Sequence, residues 1–228
     1  MAANIISGKI VKGIGGFYYI DAEDGVLYEC KAKGIFRNKK IKPLVGDNVN
    51  IEILDAENNL GNIVEILPRF NSLIRPAVAN VDQTIIIFAV SEPEPNFNLL
   101  DRFLVSMEKS GVKTVICFNK LDLSAENMDV CRSYGKSGYR TLFISAKNDE
   151  GIDELKEIIR DKTTVFAGPS GVGKSSTLNA IKPDAEAQTG AVSDKIKRGK
   201  HTTRHSELMH ISGNTYIMDT PGFSSLYV

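Results

Sequence analysis

The stretch Gly168-Pro-Ser-Gly-Val-Gly173-Lys174-Ser175 limits the possible folds of this chain more than any other feature, because it meets every fixed position of the GxxxxGK[ST] pattern. The pattern works only where a strand ends and a helix begins. The glycines then let the backbone wrap into a nest of N–H groups, and the helix N-terminus adds partial positive charge. Both flanks agree: Thr163–Ala167 reads as a buried strand and Ser175–Ile181 as a helix. Gly168, Pro169, Ser170, Gly171, Val172, Gly173, Lys174, Ser175 and Ser176 are therefore expected to cradle a nucleotide's phosphates, with Ser176 packing or capping the helix. Lys174 is expected to reach the β and γ phosphates as a catalytic group, and the Ser175 hydroxyl to bind Mg²⁺.

Two further segments select the base. Asn119-Lys120-Leu121-Asp122 follows one apolar strand and Ser145-Ala146-Lys147 follows the next. A carboxylate at Asp122 can accept from the N1–H and exocyclic amine of guanine, donors that adenine does not present. Asn119 can reach N7, Lys120 can lie over the ring, and the Ala146 N–H can donate to O6. These residues point to GTP and GDP, and they fit an ATP-using enzyme poorly. Asp219-Thr-Pro-Gly222 matches the DxxG element, in which Asp219 holds Mg²⁺ through water and the Gly222 N–H meets the γ-phosphate. The basic segment Lys195–His205 lies between it and the phosphate loop and contains Thr202-Thr203. Thr203 is expected to complete the Mg²⁺ shell, with Thr202 the alternative. Phe223 stands where many GTPases carry a water-orienting glutamine, so the isolated chain is expected to turn over slowly. His201, His205 or a group supplied by a partner is left to position the water. His210 alternates with apolar neighbours on a strand and reads as structural.

The remaining pattern supports two domains within 228 residues. Ser7–Val11, Phe17–Ile20, Val26–Cys30, Asn48–Ile53 and Gly61–Ile66 are short, alternating or β-branched, and separated by turn residues. They predict a five-stranded barrel over residues 1–70, an OB-fold first and an SH3-like barrel second. After the Pro-punctuated stretch Pro68–Pro76, residues 71–228 alternate strands (Gln83–Val90, Lys113–Asn119, Thr141–Ser145, Thr163–Ala167, Glu207–Ile211, Thr215–Asp219) with helices (Leu99–Ser110, Ile152–Ile159, Ser175–Ile181). That pattern predicts a three-layer α/β domain with a mostly parallel sheet. GTPases commonly run phosphate loop, switch threonine, DxxG, NKxD, SAK, whereas here NKxD and SAK come first. Cutting the usual sheet after DxxG and rejoining its old ends produces this order, so the GTPase domain is expected to be circularly permuted.

Lys plus Arg total 28 and so do Asp plus Glu, which excludes a polycation or an acidic tail. Charge is nevertheless uneven. Lys31, Lys33, Arg37, Lys39, Lys40 and Lys42 fall in a run without any acidic residue and are candidate contacts to RNA phosphates. The longest apolar run, Ile85–Val90, is far shorter than the roughly 20 residues of a membrane helix. With no signal-like N-terminus, a cytoplasmic location without membrane contact is expected. Cys30, Cys117 and Cys131 lack metal-ligand spacing and read as thiols in a reducing compartment.

The permuted order, the OB-like barrel and the strings Arg198-Gly-Lys-His-Thr-Thr-Arg204 and Asp219-Thr-Pro-Gly-Phe-Ser-Ser225 together resemble the ribosome small-subunit-dependent GTPases, the RsgA, YjeQ or YloQ family. Leu44-Val-Gly-Asp47 and Asn71-Ser-Leu-Ile-Arg-Pro76 extend the resemblance over essentially the whole chain. It implies a GTP hydrolase that binds the small (30S) ribosomal subunit and its rRNA late in assembly; a monomer is expected. The alternative is an RNA-binding assembly factor in which GTP is a conformational ligand and hydrolysis is incidental. The family usually continues into a small domain that holds zinc through three cysteines and a histidine. This sequence ends six residues after Gly222. A truncated chain or a lost domain would each explain that ending, and no zinc ligand is assigned.

Overall fold

The computed structural model describes residues 4–34, 36, 41–123, 126, 128–182 and 207–220. They form two compact units, one reaching Val81 and including residues 207–210, the other starting at Asp82 and including residues 211–220.

In the first unit, β1 (Ile5–Ile14), β2 (Phe17–Ala22), β3 (Leu27–Ala32), β4 (Asn48–Asp55) and β5 (Leu60–Ile66) close a barrel in the order β1-β2-β3-β5-β4. All pairings are antiparallel except β3 with β5. Side-chain alternation builds the interior: Ile10, Ile20, Cys30, Val49, Ile51 and Ile63 are fully buried and come from all five strands. Closure gives every strand two neighbours, so no edge is left open.

Leu44-Val-Gly-Asp47 clips the base of this barrel. The Asp47 carboxylate is fully buried, accepts from the Leu44 N–H at 2.8 Å, and takes a two-point grip from Arg69 at 2.6 and 2.8 Å. Burying a charge is tolerable only when it is paired and hydrogen-bonded in this way. The Pro-punctuated stretch also holds a small hairpin, β6 (Ser72–Leu73) with β7 (Val78–Ala79). Asn71 exchanges side-chain hydrogen bonds with both the N–H and C=O of Val81, and Asn80 Nδ2 donates to Gly46 O.

The second unit carries a six-stranded sheet in the order β10-β9-β8-β11-β13-β12. Its strands are β8 (Gln83–Ala89), β9 (Lys113–Asn119), β10 (Arg140–Phe143), β11 (Thr163–Ala167), β12 (Met209–Ser212) and β13 (Thr215–Asp219). The four pairings from β10 to β13 are parallel. The helices are α1 (Phe97–Ser110), α2 (Met128–Ser133), α3 (Ile152–Ile159) and α4 (Lys174–Ile181), with a 3₁₀ turn at Tyr134–Ser137. Every residue of β8 and of β11 is buried, as parallel strands covered on both faces require. Leu100, Phe103, Leu104 and Met107 of α1 pack with Ile86, Phe88, Ile116 and Phe118 of the sheet. Gln83, buried at the start of β8, donates to Ile158 O at 2.9 Å and Thr164 Oγ1 at 3.1 Å.

The sequence omitted α2 and the β6–β7 pair. Each is too short for a periodic signal: α2 has a single buried residue, Cys131, and β6 and β7 have two residues apiece.

Candidate nucleotide-binding site

In a parallel α/β sheet the carboxyl ends of the strands carry the ligand crevice. Three of the predicted loops leave the sheet at such ends: Asn119 closes β9, the phosphate loop follows β11, and Asp219 closes β13. Lys120, Ser170, Gly171, Gly173, Lys174, Ser175, Ser176, Asp219 and Thr220 line one cleft of ≈ 390 Å³.

The phosphate loop has the backbone that its glycines predict. At Gly168, φ is 143°, and a Cβ there would stand 2.1 Å from Ile87 O, so the loop can press against β8 only without a side chain. At Gly173, φ is 92°, and a Cβ would stand 2.3 Å from Asn119 Nδ2. α4 begins at Lys174, and Thr177 Oγ1 donates to Gly173 O at 2.8 Å to close its first turn. Lys174 is buried, and its Nζ donates to Gly168 O at 2.9 Å and Pro169 O at 2.8 Å. The ammonium therefore lies inside the loop, where phosphate oxygens are expected.

Lys174 and Asp219 face each other electrostatically across the cleft. Burial pushes the lysine below its ordinary value, and the charge of Asp219 acts in the other direction. Asp219 as a residue is exposed, yet it lines the cleft. Burial raises it above the ordinary carboxylate range, opposed by Lys174 and by a hydrogen bond from Ser175. The Ser175 hydroxyl and the Asp219 carboxylate are thus adjacent hard oxygen donors, a set that suits a divalent cation of the Mg²⁺ type. Among the described residues no three His, Cys, Asp or Glu side chains gather.

Asn119 joins the base-reading loops to the phosphate loop. Its Nδ2 donates to Val172 O at 3.0 Å and its Oδ1 accepts from the Ala146 N–H at 3.1 Å. The sequence assigns both Asn119 and the Ala146 N–H to guanine; here they also hold three loops in register. Asp122 Oδ1 accepts from Ser145 Oγ at 2.7 Å, and Lys147 Nζ lies 3.6 Å from Oδ2. The Ser145 bond, ahead of the Lys147 charge, holds the Asp122 carboxyl below its ordinary value, so it is ionised and able to accept. Ser145 itself is fully buried. Lys120 has left-handed backbone, φ 69°, and its Nζ donates to Glu92 O.

Some site residues were not foreseen as such. Thr220 lines the cleft and donates from Oγ1 to Phe166 O at 2.7 Å; it stood inside the DxxG string without a role. The Glu92 carbonyl that anchors Lys120 had no sequence signal, since any residue offers a main-chain oxygen. Of the remaining candidates, His201, Thr203 and Gly222 lie outside the described residues, as do Arg37, Lys39 and Lys40. Lys31 is exposed on β3, Lys33 pairs with Glu52 at 2.6 Å, and Lys42 is exposed between β3 and β4.

A phosphate loop after β11 and guanine-reading loops after two strands that precede it in the chain define a circularly permuted P-loop GTPase, carried here behind a five-stranded OB-like barrel. Comparison with known proteins matches residues 66–228 to the RsgA GTPase and residues 7–63 to the RsgA N-terminal domain. The "Small ribosomal subunit biogenesis GTPase RsgA" of Agathobacter rectalis is 55% identical, over 97% of this chain and 77% of its own length. The protein of the same name from Alkaliphilus metalliredigens is 51% identical, over 97% and 76%. Among solved structures, YjeQ from Thermotoga maritima matches with a TM-score of 0.81 at 36% identity, over 98% of this chain and 77% of that one. YloQ, described as a circularly permuted GTPase, matches with a TM-score of 0.74 at 40% identity, over 98% and 74%. This chain belongs to the RsgA family of GTP hydrolases. No helix among the described residues is long and apolar enough to cross a membrane.

Proposed function

We propose that this chain binds and hydrolyses GTP as a biogenesis factor of the small ribosomal subunit, with the barrel contacting rRNA. The observation that carries the proposal is Asn119, which ties the guanine-reading loops to the phosphate loop in a chain 55% identical to a GTPase of that name.

Lys174 releases the Gly168 and Pro169 carbonyls and turns to the β and γ phosphates, where its charge offsets charge that develops as the γ-phosphoryl group leaves. The loop's N–H groups and the α4 N-terminus hold the same oxygens. Asp122, ionised and positioned by Ser145, accepts from the base; the second N–H of the Asn119 amide is left for N7. Ser175, and Asp219 through water, would hold Mg²⁺, which would supply charge neutralisation at the phosphates. Thr203 completes the shell. His201, His205 or a group supplied by the subunit positions the attacking water once the subunit engages the Lys195–His205 segment, because Phe223 lacks a group for that task. The exposed lysines of the Lys31–Lys42 run contact rRNA phosphates.

Phosphate release from GTP and from ATP, with and without small subunits, tests the reading. Slow GTP turnover stimulated by subunits, no ATP turnover, and loss of hydrolysis in Lys174→Ala are expected. Hydrolysis at the unmodified rate in Lys174→Ala, or equal use of ATP, overturns it.

A further inference from the structure

The barrel's outer surface is not uniform along β2 and β3. Phe17 pairs across strands with Lys31 and with Ile14, and Lys31 also pairs with Asn62 of β5. Phe17 and Ile14 are exposed at 36% and 38%, although both are large apolar residues at the mouth of a hairpin. Lys31 Nζ lies 5.0 Å from the centre of the Phe17 ring, a cation–π contact on an open aromatic face. Further along the same strands the outward positions are mixed: Tyr19 pairs with Glu29 and donates its hydroxyl to it at 2.9 Å, and Asp21 pairs with Leu27. One end of the sheet face thus offers an aromatic ring, a lysine and an amide, and β3 leaves that end directly into the basic run that ends at Lys42.

We propose that the Phe17 end of this face is a stacking platform for one unpaired base of RNA, with Lys31 on the adjoining phosphate and Asn62 at the base edge. The inference rests on the reading of the barrel as an RNA-binding module and adds to it the mode of contact and the residue that makes it. Protein is the less suited partner. A partly exposed ring beside a lysine matches a planar base followed by an anion, the repeating unit of a single strand. The surface is preformed, because Phe17 and Lys31 sit on paired strands rather than in a loop. Lys33, which follows on the same edge, is held by Glu52 at 2.6 Å and is not needed.

The test uses the full chain and a fluorescein-labelled single-stranded 12-nucleotide RNA of mixed sequence, with the duplex of the same sequence as comparison. Phe17→Ala is expected to weaken single-strand binding about 5- to 150-fold, the usual range for one stacked base. Phe17→Trp retains binding, and Phe17→Leu, which keeps the apolar bulk without the ring, behaves as Phe17→Ala. Lys31→Gln lowers the slope of log K against log salt by roughly 0.7, one phosphate on a single strand. GTP affinity stays unchanged in all four, because the residues lie in the barrel, and far-UV circular dichroism reports that the barrel remains folded. Binding that Phe17→Ala leaves within twofold, full binding by Phe17→Leu, or an equal loss on the duplex overturns the platform while leaving RNA binding in place. Absence of RNA binding by the unmodified chain removes the RNA reading itself, and the platform with it.

Discussion

Gly173→Ala isolates the contact on which the site's geometry turns. The substitution acts twice. A non-glycine residue at φ 92° pays roughly 1–2 kcal/mol for left-handed backbone. In addition, its Cβ would stand 2.3 Å from Asn119 Nδ2, so the amide must leave. Asn119 is buried, and its withdrawal breaks the bond to Val172 O and frees the Ala146 N–H, at a cost of about 1–3 kcal/mol for the unsatisfied groups. The sum, about 2–5 kcal/mol, is read as destabilisation of the nucleotide-free protein in urea. Gly171→Ala is the control. Its φ is 81°, but its nearest neighbour would be Pro93 Cδ at 3.6 Å, an ordinary contact, so only the backbone cost of roughly 1–2 kcal/mol applies. In an Asn119→Ala background the clash disappears and Gly173→Ala should cost no more than Gly171→Ala. Titration with a fluorescent GTP analogue should show Gly173→Ala losing most of its affinity, since base-reading and phosphate loops part together. Equal destabilisation by Gly171→Ala and Gly173→Ala, or a Gly173→Ala cost undiminished without Asn119, would refute the argument.

Three further expectations rest on single side chains. Asp122→Asn should shift base preference from guanine toward xanthine, because an amide can donate where the carboxylate only accepts; unchanged GTP affinity in direct titration counts against base reading. The Asp122 carboxyl is held below its ordinary value chiefly by Ser145, so guanine recognition is present above that lowered value and lost only as pH falls through it. Binding should therefore persist to lower pH than an unperturbed aspartate would allow, and Ser145→Ala should move the fall to higher pH. Arg69→Ala leaves the fully buried Asp47 carboxylate without its cation and should destabilise the barrel by about 3 kcal/mol in chemical denaturation. A loss below 1 kcal/mol would mean that water reaches Asp47.

Some of this molecule is written locally in its chain. β9 (Lys113–Asn119), β11 (Thr163–Ala167), β13 (Thr215–Asp219) and α3 (Ile152–Ile159) run between the residues that the pattern marks, because apolar alternation, continuous apolar runs and helical spacing are properties of consecutive residues. The phosphate loop is legible for the same reason: φ above zero at Gly168, Gly171 and Gly173 is a demand that glycine meets by itself. The permuted order could also be read directly, since motif order is a property of the chain.

What needed the tertiary structure is whatever depends on which distant segments meet. Barrel closure through the parallel β3–β5 pairing has no local signature. The Leu44–Asp47 string is recognisable, yet that its carboxylate is fully buried and gripped by Arg69, 22 positions away, is a fact of packing. Asn119 reads as a base-reading residue, but its second task, holding Val172 and Ala146, arises only when β9, the phosphate loop and the turn after β10 converge. The Glu92 carbonyl under Lys120 lay beyond any motif, because a main-chain oxygen carries no residue identity. Short-range patterning therefore determined the elements and the chemistry of each loop. The positions at which those loops share hydrogen bonds were decided by long-range contacts, whose geometry is set jointly by residues far apart in the chain.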